Sequence, residues 1–99
     1  MEIRKLASAL SSASRLSIMT WLKSPCDHFP PQVHADLVKD GVCGVFIAEK
    51  LGMTPATASA HLSVLVEAGL VTSKRLGKWT YFKRNEASLQ AFSQGIADL

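Results

Sequence analysis

The stretch from Ile47 to Gly69, IAEKLGMTPATASAHLSVLVEAG, limits the local fold to two helices around a tight turn. Gly52 can close the first helix, because glycine takes up the left-handed backbone of a helix end at no steric cost. Thr54 then offers a side-chain oxygen to the free amides of the next helix. Pro55 suits that helix's first position, where a missing N–H costs nothing. Ala58, Leu62, Leu65 and Val66 recur at near-helical spacing and can face a core. Thr57, Ser59, Ala60, His61 and Ser63 are left outward. A second helix with a small, hydroxyl-rich N-terminal face is what a major-groove reader needs. An ordinary helical hairpin with a polar outer face would fit the same pattern, so the residues beyond Val66 must decide between the two.

Gly69 closes the second helix and Leu70 can pack back onto its last turn. Two strand-like runs come next, Val71–Leu76 and Trp79–Arg84, joined by Gly77-Lys78. Glycine first in a two-residue loop suits a type II′ hairpin. The hairpin carries Lys74, Arg75, Lys78, Lys83 and Arg84, and residues 68–85 contain no acid. Such a hairpin directly after a helix-turn-helix can straddle a phosphate backbone as a wing.

The order I-A-x-x-L-G-x-(S/T)-x-x-T-x-S-x-H-L-x-x-L-x-x-A-G-L-V, followed by a basic hairpin with an aromatic strand, resembles the ArsR/SmtB group of bacterial winged helix-turn-helix repressors. Ile47, Ala48, Leu51, Gly52, Thr57, Ser59, His61, Leu62, Leu65, Ala68, Gly69, Leu70 and Val71 carry the match. Upstream, Ala13-Ser14-Arg15-Leu16-Ser17-Ile18 is similar to that group's D-P-T-R-L-x-I, with Ala-Ser in place of Pro-Thr. The likeness spans about residues 6–85. It implies a mainly α (α+β) winged helix-turn-helix with a two-stranded β-hairpin wing, and five helices or six. It also implies a homodimeric repressor on a double-stranded DNA operator. Thr54, Ala56, Thr57, Ser59, Ala60 and His61 would then approach the major groove. Lys74, Arg75, Lys78 and Tyr81 would meet phosphates or the minor groove. Family members commonly carry Gln at position 55 and Arg or Lys at position 60, where this chain has Pro55 and Ala60. Recognition is therefore expected to lean on hydroxyls, on thymine methyl contacts with Ala60, and on DNA shape.

Ninety-nine residues make one small domain, residues 1–99, with apolar content for one core and little reserve. Such a domain commonly completes its core by dimerising. The net charge of +3 is unevenly spread: residues 1–23 sum to +3, 24–67 to −3, 68–85 to +5 and the tail to −2. The basic end is the expected wing. No apolar run reaches membrane-spanning length, and LASALSSAS after Arg4-Lys5 is too short and serine-rich for a secretory signal. A cytoplasmic protein with reduced Cys26 and Cys43 is expected.

Around the central motif, residues 3–10 suggest a first helix with Ile3, Leu6, Ala7 and Leu10 on one stripe. Residues 13–23 suggest a second, with Leu16, Met19 and Leu22 inward and Ile18 and Trp21 on an adjoining face. Pro25 blocks its continuation. The segment 24–42 is a long insert with three prolines and no clean periodicity. Residues 33–38 could hold a helical turn or an extended piece packed by Phe29, Val33, Leu37 and Val38. Residues 86–98 suggest a final dimerisation helix, its stripe of Leu89, Phe92 and Ile96 joining Leu6 and Leu10 of the first helix as the dimer surface.

No phosphate-binding glycine loop, nucleophile elbow or H-E-x-x-H helix is present, and Ser59 and His61 are two apart on a helix, pointing away from each other. No enzyme and no cofactor are expected. In metal-responsive branches of the family the third helix carries a C-x-C pair, of which only Cys43 is kept here, with Val45 second. Cys26, His28, His34 and Cys43 supply ligand types for a tetrahedral metal site, although their spacing matches no standard framework. The two thiols could instead respond to oxidants or reactive sulfur, with Cys43 near a helix N-terminus. A repressor released by a thiol-directed or metal effector, and one with no effector site, both fit. From another class, a winged helix that binds a protein partner rather than DNA fits as well.

Overall fold

A computed structural model describes residues 2–99. Helix α1 (Ile3–Ala9) starts at Glu2, whose carboxylate accepts from the Arg4 amide. Helix α2 (Ala13–Lys23) starts at Ser12, whose hydroxyl accepts from the Arg15 amide, and ends just before Pro25, as the ring requires. Strand β1 (Val42–Cys43) leads directly into α3 (Gly44–Leu51). Then come α4 (Pro55–Glu67), strands β2 (Val71–Leu76) and β3 (Trp79–Arg84), and helix α5 (Glu86–Ala97).

The turn chemistry of the central motif forms as the residues suggest. Gly52 ends α3 at φ +68°, and the Thr54 hydroxyl accepts from the Thr57 amide at 3.2 Å with Pro55 at the first helical position. After α4, Gly69 turns at φ +79° and the amide of fully buried Leu70 donates to the Leu65 carbonyl. At the wing tip Gly77 has φ +61°, and no residue other than glycine has positive φ among the described residues. That excludes a type I′ turn and leaves II′.

The two-stranded wing and the lower of the two helix counts hold, with one strand added to the sheet. The sheet has three antiparallel strands in the order β1-β3-β2, rather than two, because Val42 and Cys43 pair with Phe82 and Tyr81. Two residues are too few to show alternation in a sequence. The insert adds only a single 3-10 turn (Pro25–Asp27), so the α-helices number five among the described residues. Hydrogen bonds give the insert its shape. The Asp36 carboxylate accepts from the amides of Val38 and Lys39, and the Gln32 side chain accepts from the Cys43 amide at 2.7 Å and donates to the Gly41 carbonyl at 2.9 Å. Phe29 and Leu37 are buried, whereas Val33 and Val38, expected to pack with them, are exposed. Phe29 meets Trp21 edge-on at 6.2 Å, with the Lys50 ammonium over both rings.

The core gathers Ile18, Val42, Ile47, Leu65, Leu70 and Val71, all essentially inaccessible. On α2 the inward stripe is Ile18, Met19 and Leu22, while Leu16 is half exposed. Ile18 sets that stripe, and the helical period then carries Leu16 to the opposite side. Leu6 of α1 and Phe92 of α5 are buried within the chain, so the expected dimer stripe is partly used internally; Ile96 remains exposed.

Gly41 lets β1 reach the sheet. Its φ is +105°, and a Cβ there would lie 2.5 Å from the Phe82 carbonyl oxygen. Gly41→Ala should therefore destabilise the fold by about 1–3 kcal/mol or more, through backbone strain plus overlap with β3. Urea unfolding would show this as a lowered midpoint at unchanged slope. Equal midpoints would mean that β1 does not depend on the close approach.

Candidate nucleic-acid interface

The first turns of α4 present Thr54, Pro55, Ala56, Thr57, Ser59 and Ala60 to solvent on one end of the molecule. Ala58, Leu62 and Leu65 hold the opposite face in the core. The Thr54 hydroxyl donates to the Thr57 hydroxyl at 3.0 Å, which leaves the Thr57 proton free for an outside acceptor. No acid lies in the first turn, so the positive end of the helix dipole is uncompensated there.

His61 departs from the expected pattern. It is half-buried, and its Nδ1 lies 3.0 Å from Nη1 of Arg15. Arginine can only donate, so Nδ1 accepts. The same guanidinium donates to the Ala9 carbonyl at 2.6 Å and the Ser8 carbonyl at 3.4 Å. Arg15 thus joins the end of α1, the start of α2 and the flank of α4. The role of Arg15 could be suspected from its place in the upstream motif, but its partners could not.

Most of the wing's charge is committed within the chain. Lys74 forms an ion pair with Asp40 at 2.8 Å. Lys83 donates to the Lys39 carbonyl, and Arg84 donates to the Met19 carbonyl and the Glu86 carboxylate. Arg75 and Lys78, at the tip, meet no carboxylate. Arg75 donates to the Gly77 carbonyl, and the Lys78 ammonium stands 5.4 Å from the Trp79 ring centroid. Tyr81, expected at the phosphates or minor groove, is 3% exposed and cannot reach them. It shares a sheet face with Cys43 and Lys74, opposite to the face of core residues Val42 and Val71, and borders the insert at Gln32, Val33 and His34. A cleft of about 530 Å³ separates α4 from the wing, with Ser59, Ser63 and Glu67 on the helix side and Ser73, Lys78 and Thr80 on the sheet side.

The candidate ligands Cys26, His28, His34 and Cys43 do not assemble. Among the described residues no group of three or more histidine, cysteine or acidic side chains could hold a metal ion. Cys26 is exposed in the 3-10 turn, Cys43 is buried in β1, and both are free thiols. The insert spreads its side chains over two faces: His34 borders the same cavity as Cys43, while His28 borders a space beside Glu49 and Lys50.

An exposed helix N-terminus after a tight turn, flanked by a basic-tipped hairpin on a three-stranded sheet, defines a winged helix-turn-helix. Comparison with known proteins agrees. The model of the arsR family of bacterial regulatory proteins matches residues 46–73. The chain is 46% identical over 89 residues to YbzH of Bacillus subtilis (strain 168), an uncharacterized HTH-type transcriptional regulator, covering 90% of this chain and 89% of that protein. In structure it is similar to a homodimeric winged helix-turn-helix DNA-binding domain from Mycobacterium bovis, a possible ArsR-family transcriptional regulator. There the TM-score is 0.67 at 27% identity, over 97% of this chain and 78% of that one. An ArsR-like regulator from Rhodococcus sp. RHA1 shares the fold, with a TM-score of 0.71 at 22% identity over 98% and 75% of the two chains. The protein belongs to the ArsR family and is a transcriptional regulator. No helix among the described residues is long and apolar enough to cross a membrane.

The Asp40 carboxyl is held below its usual pKa, first by the hydrogen bond from Lys74, then by the Asp36 amide. A lowered folded-state pKa means stability that is present above the ordinary carboxylate value and lost as pH falls through the lowered one. The gap in urea midpoint between the wild type and Asp40→Asn should therefore be constant near neutrality and close in acid, below about pH 4. A gap independent of pH would remove the ion pair as its cause.

Proposed function

We propose that the protein is a cytoplasmic, homodimeric repressor that binds a specific double-stranded DNA operator, with α4 in the major groove and the wing tip on flanking phosphates. The observation that supports this best is the surface of Thr54, Ala56, Thr57, Ser59 and Ala60, all exposed together, beside a tip bearing Arg75 and Lys78. The cleft between them suits a phosphate backbone. Small side chains and hydroxyls let α4 approach the base edges closely, with Ala60 suited to a thymine methyl group. Within the wing, Arg75 and Lys78 carry the phosphate contacts, with Lys74 shared with Asp40. The whole chain, residues 1–99, serves as one DNA-binding domain. Helices α1 and α5 provide the surface for a second copy, and the similar domain from Mycobacterium bovis is homodimeric. Ile96, 48% exposed on α5, is the apolar side chain best placed for that role.

Salt-dependent binding to operator and random duplexes tests the reading. Lys78→Ala should weaken both alike and reduce the salt slope by about one unit, as for one lost phosphate contact. Ser59→Ala should cost about 1 kcal/mol on the operator and little on random DNA. No measurable duplex binding by the wild type would sink the proposal. For assembly, sedimentation should show a dimer at micromolar concentration, and Ile96→Glu should shift it towards monomer and weaken operator binding. A wild-type monomer with tight operator binding would dismiss the dimer.

A further inference from the structure

Adjoining the cleft between α4 and the wing, with Cys43, Val45 and Trp79 common to both, a cavity of about 230 Å³ opens where the insert, α3 and the sheet meet. Val33, Val45 and Trp79 rim it and are all exposed, so three large apolar side chains gather around one opening. Phe46 adds a second aromatic wall. No carboxylate, ammonium or guanidinium lines the space. Besides its apolar side chains it is lined by Gln32, exposed His34, Cys43 and Tyr81, so a mostly apolar occupant with few polar groups fits it best.

Among the polar side chains of the wall, Tyr81 is the most deeply buried. Tyr81 is 97% buried, and among the described residues its hydroxyl makes no hydrogen bond. Its polar neighbours are committed elsewhere: Gln32 holds the Cys43 amide and the Gly41 carbonyl, and Asp40 holds Lys74. A phenol keeps its proton at neutral pH, and burial raises its pKa further, so the group offers a donor. Mainly apolar walls with a few polar groups are the usual make-up of a small-molecule site.

We propose that this cavity binds a small, neutral aromatic compound carrying one acceptor oxygen, which takes the hydrogen bond of the Tyr81 hydroxyl. The ring lies against Phe46 and Trp79. Such a ligand bridges α3, which leads into the reading helix, and β3, which carries the wing. It is therefore an effector of DNA binding, a role that rests on the protein being an operator-binding repressor.

Acetophenone is the probe, titrated into isotope-labelled full-length protein and followed by amide NMR shifts. Saturable shifts are expected around Val45, Phe46, Trp79 and Tyr81. Tyr81→Phe should bind about fivefold more weakly, as for one hydrogen bond. Its urea midpoint should equal or exceed that of the wild type, because no internal hydrogen bond is lost. Ethylbenzene, which lacks the acceptor, should bind both proteins alike. No saturation, shifts centred elsewhere, or equal acetophenone affinity in Tyr81→Phe would overturn the site and leave a solvent-filled space. Saturating acetophenone should change operator affinity about tenfold in the wild type. Unchanged affinity with the cavity filled would overturn the effector role alone. Saturable acetophenone binding by a protein with no affinity for DNA would support the site while refuting the DNA-binding reading.

Discussion

Each element that shapes the reading surface is pinned by a fully buried aliphatic side chain, and the rest of the fold depends on their meeting. Ile18 comes from α2, Val42 from β1, Ile47 from α3, Leu65 from α4, and Leu70 with Val71 from the entry to the wing. Burying one such side chain contributes about 1.5–3 kcal/mol. In a chain of 99 residues, few other terms of that size exist to hold a helix in place. The polar face of α4 can be small and weakly structured in itself because Leu65 fixes the helix from behind.

Charge on this molecule is arranged by subtraction. The wing segment is strongly basic as a sequence, yet Asp40 and Glu86 reach Lys74 and Arg84 from outside it. An exposed pair of this kind adds little stability. Its larger effect is on the field, which it weakens along the hairpin flank and leaves strongest at Arg75 and Lys78. The insert supplies Asp40, so the long connection between α2 and α3 has a part in the electrostatics of a hairpin more than thirty residues further on.

The parts of the fold that are legible in the sequence are those governed by local chemistry. Gly52, Thr54, Pro55, Gly69 and Gly77 each act within a few residues, and each turn forms as its residues require. The exposed face of α4 comes from helical period alone. What escapes depends on partners far along the chain. Tyr81 reads as an aromatic on a basic hairpin, but the insert lies beside its face of the sheet, and a contact from so far along the chain leaves no local pattern. His61 reads as outward by period, yet a guanidinium from α2 engages it. Of the four metal-ligand candidates, Cys26, His28 and His34 share the insert and Cys43 follows it in β1, but the folded insert sets His28 beside Glu49 and Lys50 and His34 beside Cys43. Leu16 reads as inward because two overlapping stripes on α2 compete, and in the packed chain Ile18 wins.

Arg15 has a mechanical consequence. Its hydrogen bonds end on two carbonyls of α1 and on a ring nitrogen of α4. All three are charge-assisted, and all three share one planar group that cannot flex internally. Tilting α1 thus strains the bond to α4 together with its own. A push on α1 from a neighbouring copy would be delivered to the imidazole as torque, with no soft joint between them to absorb it.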